Sequence, residues 1–257
     1  LTYDAIILGA GGAGLFCAMT AGRRGRRVLV IDHADKPAEK IRISGGGRCN
    51  FTNIHASPKQ FLSQNTHFCV SALKRYTAQD FIGRVQAANI AFHEKALGQL
   101  FCDGSARQII DMLLGDLAGA GGELRLGVEP GAIRKEGDDF VVESSSGELR
   151  AASLVIATGG KSIPKMGATG YAYDVARRFG LSIIDPRPAL VPFTYTPPRL
   201  DPIAELAGVS VDARVRCGDT AFEEAMLFTH RGLSSPAVLQ ISSFWREGEE
   251  IAIDLAR

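Results

Sequence analysis

Tyr3-Asp4-Ala5-Ile6-Ile7-Leu8-Gly9-Ala10-Gly11-Gly12-Ala13-Gly14 opens the chain, and its reading decides the fold. A short apolar strand runs into G-x-G-x-x-G. An apolar helix follows through Leu15, Ala18 and Met19, then Gly25, then a second strand Arg27-Val28-Leu29-Val30-Ile31 that ends in Asp32. Strand, glycine turn, helix, strand and acid, in that order, make the dinucleotide-binding fingerprint in the context it requires. Gly9 permits the tight turn, Gly11 leaves room for a pyrophosphate, and Gly14 lets the helix pack closely on the sheet. The helix start, at Gly12 and Ala13, offers free N–H groups and a positive dipole end to phosphates. Asp32 stands where a carboxylate accepts from ribose hydroxyls.

The glycines alone do not separate NAD from FAD. The next segment helps: Lys40-Ile41-Arg42-Ile43-Ser44-Gly45-Gly46-Gly47-Arg48-Cys49-Asn50-Phe51-Thr52-Asn53. Gly45, Gly46 and Gly47 give a loop that can wrap close to a ligand and form an anion nest. Arg48 can add charge-assisted contacts, and Asn50 and Asn53 offer amide donors and acceptors. The unbroken stretch from Ser44 to Asn53 resembles the mark of the YhiN/BaiN-like flavoprotein family, in which this loop lines the FAD site.

The resemblance continues in Leu154-Val155-Ile156-Ala157-Thr158-Gly159-Gly160, similar to the second flavoprotein signature, an apolar strand ending under the cofactor. Lys161–Pro164, Gly167–Gly170, Leu190–Phe193 and Leu227–Ser234 follow as in family members. The resemblance implies an α/β fold: an FAD-binding Rossmann-like three-layer domain with a helical insertion, a β-meander and an inserted β-rich substrate domain. It implies cofactor contacts from Gly9, Gly11, Gly12, Ala13, Gly14, Asp32, His33, Lys40, Ser44, Gly45, Gly46, Gly47, Arg48, Cys49, Asn50, Thr158, Gly159 and Gly160. In many flavoproteins backbone at the first turn of the meander touches adenine. Pro130 matches that position, and proline lacks an N–H, so only its carbonyl can serve. Gly160-Lys161-Ser162 imitates the end of a P-loop, but the glycine required five residues earlier is Val155.

Composition fits a globular enzyme: the chain is 46% hydrophobic and 22% charged. Lys plus Arg total 29 against 28 Asp plus Glu, which gives no global pull toward nucleic acid or membrane. No apolar run reaches the roughly 20 residues a bilayer span needs. The five cysteines, Cys17, Cys49, Cys69, Cys102 and Cys217, form no C-x-x-C pair. They read as reduced cytoplasmic thiols rather than a disulfide frame or metal site. Arg48 beside Cys49 can lower that thiol's pKa, which makes Cys49 a candidate for redox or acid chemistry, set against the commoner role of a thiol buried in loop packing.

Residues about 55–122 read as a helical insertion, with Thr77-Ala78-Gln79-Asp80 and Ser105 as helix starts and Gly121-Gly122 as a stop. His93, Lys95, Gln99 and Asp103 fall between the helices, at a possible active-site edge. Short strands follow over 123–128, 132–136, 139–144 and 148–151. Six prolines between Pro186 and Pro202 mark a crossing into another domain. The expected division is therefore 1–188 for the FAD domain and 189–257 for the inserted β-rich domain. In the family the chain later returns to the FAD domain, so the inserted domain is expected to be incomplete at its C-terminus.

The resemblance implies an FAD enzyme, with NAD(P)H as electron donor, that reduces a conjugated C=C bond in a steroid-like small molecule or in a uracil of ribosomal RNA. A small molecule and an RNA base both remain open as substrate, with no membrane and no metal. Cys49, His230 and Tyr171 are the candidate proton donors, because they lie in matched segments. A flavin-binding sensor, or a flavoprotein without turnover, is the rival reading.

Overall fold

The computed structural model describes residues 2–162 and 169–255. Two compact units divide at Ile183/Ile184.

The first unit begins as the fingerprint requires. Strand β1 (Thr2–Leu8) leads into helix α1 (Gly12–Gly22) and strand β2 (Val28–Ile31). β1 and β2 pair in parallel, with Ala5 opposite Val28 and Leu8 opposite Ile31. After β2 come α2 (Glu39–Ile43) and β3 (Asn50–Asn53), and then the insertion: α3 (Val70–Arg75), α4 (Ala78–Ala87), β4 (Phe92–Glu94), β5 (Gln99–Cys102) and α5 (Ala106–Gly119). β6 (Glu123–Arg125), β7 (Pro130–Glu136), β8 (Asp139–Ser144), β9 (Leu149–Ile156) and α6 (Tyr171–Arg178) complete the unit. The main sheet runs β6-β2-β1-β9-β8-β7, parallel through its first four strands and antiparallel beyond β9. This is a Rossmann-type sheet whose order reverses beside β1.

Side-chain alternation splits the core into two layers, since successive strand residues point to opposite faces. Ile7, Val28 and Val30 meet Leu15 and Ala18 of α1 and Ile109, Leu113 and Leu117 of α5. Ile6, Leu8, Leu29 and Ile31 meet Val142, Leu149 and Ala151 of the meander.

The insertion is not purely helical. β3, β5 and β4 form a three-stranded antiparallel sheet, built from Asn50–Asn53 and a hairpin around Leu97-Gly98. These strands are three or four residues long, too short to show alternation. The helix caps are as expected: the Thr77 Oγ1 accepts from the Asp80 N–H at 3.2 Å and the Asp80 carboxylate accepts from the Thr77 N–H at 2.7 Å. The meander differs in one respect. The two strands expected over 148–151 and 154–156 merge into one, β9 (Leu149–Ile156), which pairs with β8 at its start and with β1 along its length.

The second unit carries β10 (Phe193–Thr194), α7 (Asp201–Glu205), β11 (Ser210–Cys217), β12 (Thr220–Thr229), β13 (Gly232–Ser234), α8 (Pro236–Ser242) and β14 (Ala252–Asp254). Its antiparallel sheet runs β10-β13-β12-β11-β14, and α8 buries Ala237, Val238 and Ile241 against it. Among the described residues no helix is long and apolar enough to cross a membrane.

Candidate functional site

The C-terminal ends of β1, β2 and β9 open on a cleft of about 230 Å³. In open α/β sheets this is where ligands bind, at the reversal of strand order. Gly9, Gly11, Gly12, Ala13, Asp32, His33, Lys40, Pro130, Thr158 and Gly159 line it together.

Helix α1 has no side-chain cap, and its first backbone bond runs from the Leu15 N–H to the Gly11 carbonyl at 3.0 Å. The N–H groups before Leu15 therefore have no partner within the helix. A Cβ on Gly11 would meet no protein atom within 4 Å, so the space above it is open to a ligand. Gly14 is different: a Cβ there would run into the Gly9 carbonyl, so its bareness serves helix–strand packing and it does not line the cleft. The Asp32 carboxylate accepts from the Ala10 N–H at 2.7 Å and the Ala34 N–H at 2.9 Å, which ties the acid to the glycine turn. Each oxygen keeps acceptor capacity for a sugar hydroxyl. His33 Nδ1 lies 3.4 Å from Asp32 and is half exposed. At the other end Lys40 Nζ donates to Ser162 Oγ at 2.9 Å and sits over Gly159, which brings a cation to the cleft. Open glycine backbone, unpartnered N–H groups, an acid and a cation suit the ribose and pyrophosphate of a dinucleotide.

Sequence reasoning missed Ala34, Lys36, Ala38, Glu39 and Ile41, which also line the cleft. They lie between the motif's acid and the glycine loop. Ala38 holds a left-handed backbone, φ 58°, and its N–H donates to the Ala10 carbonyl, which folds this segment back over the turn. Only Pro37, next to the start of α2, hinted at a bend there.

A second cavity of about 560 Å³ shares Gly12, Ala13, Lys40 and Ile41 with the cleft. Its wall is aromatic, from Phe16, Phe51, Tyr76 and Phe81, with Ser44, Cys49 and Asn50 at its edge. Gly45, Gly46 and Gly47 all take positive φ. They and Arg48 line neither cavity, and nor does Gly160. Gly45 instead packs against Phe101, where a Cβ would come within 2.6 Å of the ring.

The candidate catalytic residues fare differently. Cys49 is 4% exposed, with φ 54°. Burial pushes its thiol above the ordinary value and a Ser44 hydrogen bond only partly offsets this, so the expected lowering by Arg48 is corrected. Cys49 is thus a buried thiol at the edge of the aromatic cavity, with nothing to activate it as a thiolate. His230 sits in the two-residue turn between β12 and β13 of the second unit, exposed. The phenol of Tyr171 is buried and pushed up by that burial, against the meander-side core layer. Ile163, Pro164, Gly167 and Ala168 lie outside the described residues. No group of three or more His, Cys, Asp or Glu among the described residues is arranged to hold a metal.

The pattern of the HI0933-like protein Rossmann domain matches residues 3–238. The chain belongs to that family. It is 50% identical over 254 residues to the ribosomal RNA dihydrouridine synthase of Escherichia coli (strain K12), covering 98% of this chain and 64% of that protein. It is 26% identical over 251 residues to the 3-dehydro-bile acid delta(4,6)-reductase of Clostridium scindens, covering 94% and 60%. The chain thus spans less than two thirds of these relatives. A flavocytochrome c3 fumarate reductase in its open conformation superimposes with a TM-score of 0.50 at 19% identity, covering 82% of this chain and 47% of that one, which speaks to the fold alone.

Proposed function

We propose that this chain is the nucleotide-binding part of an FAD-dependent reductase that saturates the C5=C6 bond of a uracil in ribosomal RNA. NAD(P)H is its electron source and the cytoplasm its compartment. The observation that carries this reading is the cleft of Gly11, Asp32 and Lys40, in a chain half identical to a ribosomal RNA dihydrouridine synthase. The bile-acid reductase is a more distant relative, so RNA is preferred to a steroid.

FAD, when bound, supplies hydride chemistry that no side chain can supply. The chain's own part is to hold and orient it. Asp32 would accept from the adenosine ribose, and the start of α1 would take the pyrophosphate through its unpartnered N–H groups. Lys40 would neutralise phosphate charge at the far end. Ser44, Cys49 and Asn50 edge the adjoining aromatic cavity, which suits a planar ring. The free, scattered cysteines suit a reducing compartment.

The test uses the protein at its natural full length, loaded with FAD, given NADH or NADPH and ribosomal RNA from cells lacking the enzyme. The expected product is a uridine that has gained two hydrogens, read by mass spectrometry of the digested RNA. A reduced flavoprotein that returns its electrons only to oxygen and leaves the RNA unchanged removes the reading.

A further inference from the structure

The 28 acidic residues of this chain avoid one stretch entirely: Lys40 to Gln79 holds no Asp or Glu, against Lys40, Arg42, Arg48, Lys59, Lys74 and Arg75. The acids at its two borders are engaged, Glu39 with Arg42 at 2.9 Å and Asp80 with the Thr77 N–H at 2.7 Å. Lys40 belongs to the nucleotide cleft. That leaves Arg48, Lys59, Lys74 and Arg75, all exposed, and among the described residues no carboxylate pairs with any of them. Elsewhere in the first unit Arg84, Arg125, Arg134 and Arg150 are held by acids. The chain leaves the aromatic cavity at Phe51 and returns to its wall at Tyr76. The excursion between them, residues 52–75, therefore begins and ends at that cavity. Arg48 immediately precedes Cys49 on the cavity's edge, and Lys74-Arg75, closing α3, run directly into Tyr76. Consecutive Cα atoms are only about 3.8 Å apart, so cations flank both points of departure. On the excursion itself Phe61 and Phe68 are 43% and 60% exposed; Phe179 is the other exposed phenylalanine among the described residues.

We propose that this acid-free excursion, residues 52–75 together with Arg48, is the surface that seats single-stranded RNA at the aromatic cavity. The proposal rests on the reductase reading given above and adds how its substrate is held. Unpaired cations with no carboxylate among them attract phosphates of any sequence. Every base has a π face, so the exposed rings of Phe61 and Phe68 give unpaired bases a platform on which to stack. A uracil must leave its stack before chemistry can reach its ring. A strand held on both sides of Phe51 and Tyr76 delivers an unstacked base to a cavity of about 560 Å³, a size that suits a small planar ring. The chain is close to neutral as a whole, 29 Lys plus Arg against 28 Asp plus Glu, so its attraction for RNA is local and lies where the base has to go. An anionic membrane would also draw cations and exposed phenylalanines. The excursion's longest helix, α3, has six residues, too short to lay an amphipathic face on lipid, so the observations favour RNA.

The experiment uses the full-length, FAD-loaded protein and two probes, a fluorescent oligouridylate and unmodified ribosomal RNA, each titrated across a salt series. Lys59→Ala, Lys74→Ala and Arg75→Ala should each weaken binding and lower the slope of log affinity against log salt by about 0.7, the value for one phosphate contact on a single strand. Phe61→Ala and Phe68→Ala should weaken binding about five-fold or more with the slope unchanged. Arg24→Ala removes an exposed charge just beyond α1, outside the segment, and should bind like the parent. FAD content, flavin reduction by dithionite and Tm should match the parent in every variant, which separates lost RNA binding from lost fold or cofactor. In dihydrouridine formation the segment variants should lose chiefly through a raised KM for RNA. Parental salt slopes in the three cation variants, parental affinity in both phenylalanine variants, or an equal loss in Arg24→Ala overturns the proposal, and conversion of RNA by the parent leaves the reductase reading standing in each case. A parent that binds phosphatidylserine vesicles through the segment and does not bind RNA also overturns it. A parent that binds RNA through the segment, yet whose reduced flavin never converts it, overturns the reductase reading and upholds the surface.

Discussion

Gly11 and Gly14 stand three residues apart in one motif, and the structure assigns them opposite reasons for having no side chain. At Gly14 a Cβ would overlap the Gly9 carbonyl oxygen, lie 3.1 Å from its carbon and 3.3 Å from Ile7 Cγ2. Optimal carbon–carbon contacts are about 3.5–4.0 Å, so even the carbon contact is too short, and both partners are backbone or core. Overpacking of this kind costs about 1–3 kcal/mol or more, and Gly14→Ala should sit at the upper end, near 3 kcal/mol, because α1 must lift off β1. For a unit of this size that lowers Tm by about 6–12 °C. Gly11→Ala meets no protein atom within 4 Å, and its backbone, φ −82°, suits any residue. Its fold should keep its Tm or gain slightly, since alanine restricts the unfolded chain, while its methyl intrudes where the pyrophosphate would lie. The assay is a thermal melt of apoprotein beside an FAD titration for each variant. Loss of flavin with an intact melt is expected for Gly11→Ala, and a lowered apoprotein melt for Gly14→Ala. The reverse pattern, or Gly11→Ala binding FAD like the parent, refutes the reasoning.

Asp32→Asn should weaken FAD binding by about 1–3 kcal/mol, because ribose hydroxyls lose a charged acceptor; isothermal titration reads this, and unchanged affinity removes Asp32 from the site. Gly46→Val and Gly47→Val force a β-branched residue to φ 66° and 86°, at a strain of about 1–3 kcal/mol each, with no protein atom within 4 Å to clash. Flavin content should fall while circular dichroism stays native, and parental FAD binding in both variants means the loop is not a flavin cradle. The Cys102 thiol is pushed up to about 11 from an ordinary 9.0, chiefly by burial. An acid whose folded pKa is raised stabilises the fold fully below the unfolded pKa and loses that contribution as pH rises, so stability should decline between pH about 9 and about 11. Urea midpoints across that range check it, and Cys102→Ala should flatten the slope.

The fold's first third was written in residues whose spacing is fixed by chemistry. Glycines at 9, 11 and 14 and an acid at 32 admit few other geometries, and the strand–helix–strand appeared as read. The capping box at Thr77 was legible because a hydroxyl and a carboxylate three residues on satisfy each other, and Ser105 was legible as a cap, to which the structure adds Gln108. The sheet of β3, β5 and β4 was not legible. Its pairing depends on long-range partners, Asn50 with Phe101 and His93 with Phe101, which no local pattern encodes. That sheet brings His93 Nδ1 to 2.6 Å from Asp103 Oδ1, two of the four residues that the sequence places together between the helices. For Cys49 the residues alone offered both a charge-activated thiol and buried loop packing; the structure bears out the packing, and the burial that decides it is tertiary.

The measurement that bears most directly on the central claim is the visible spectrum of the purified full-length protein, recorded before and after anaerobic addition of NADH or NADPH and then of unmodified ribosomal RNA. The account predicts the two-banded spectrum of oxidised flavin, with FAD released on denaturation, bleaching by one of the nucleotides, and return of colour on addition of RNA. A colourless protein that takes up no FAD when it is supplied contradicts the account at its root.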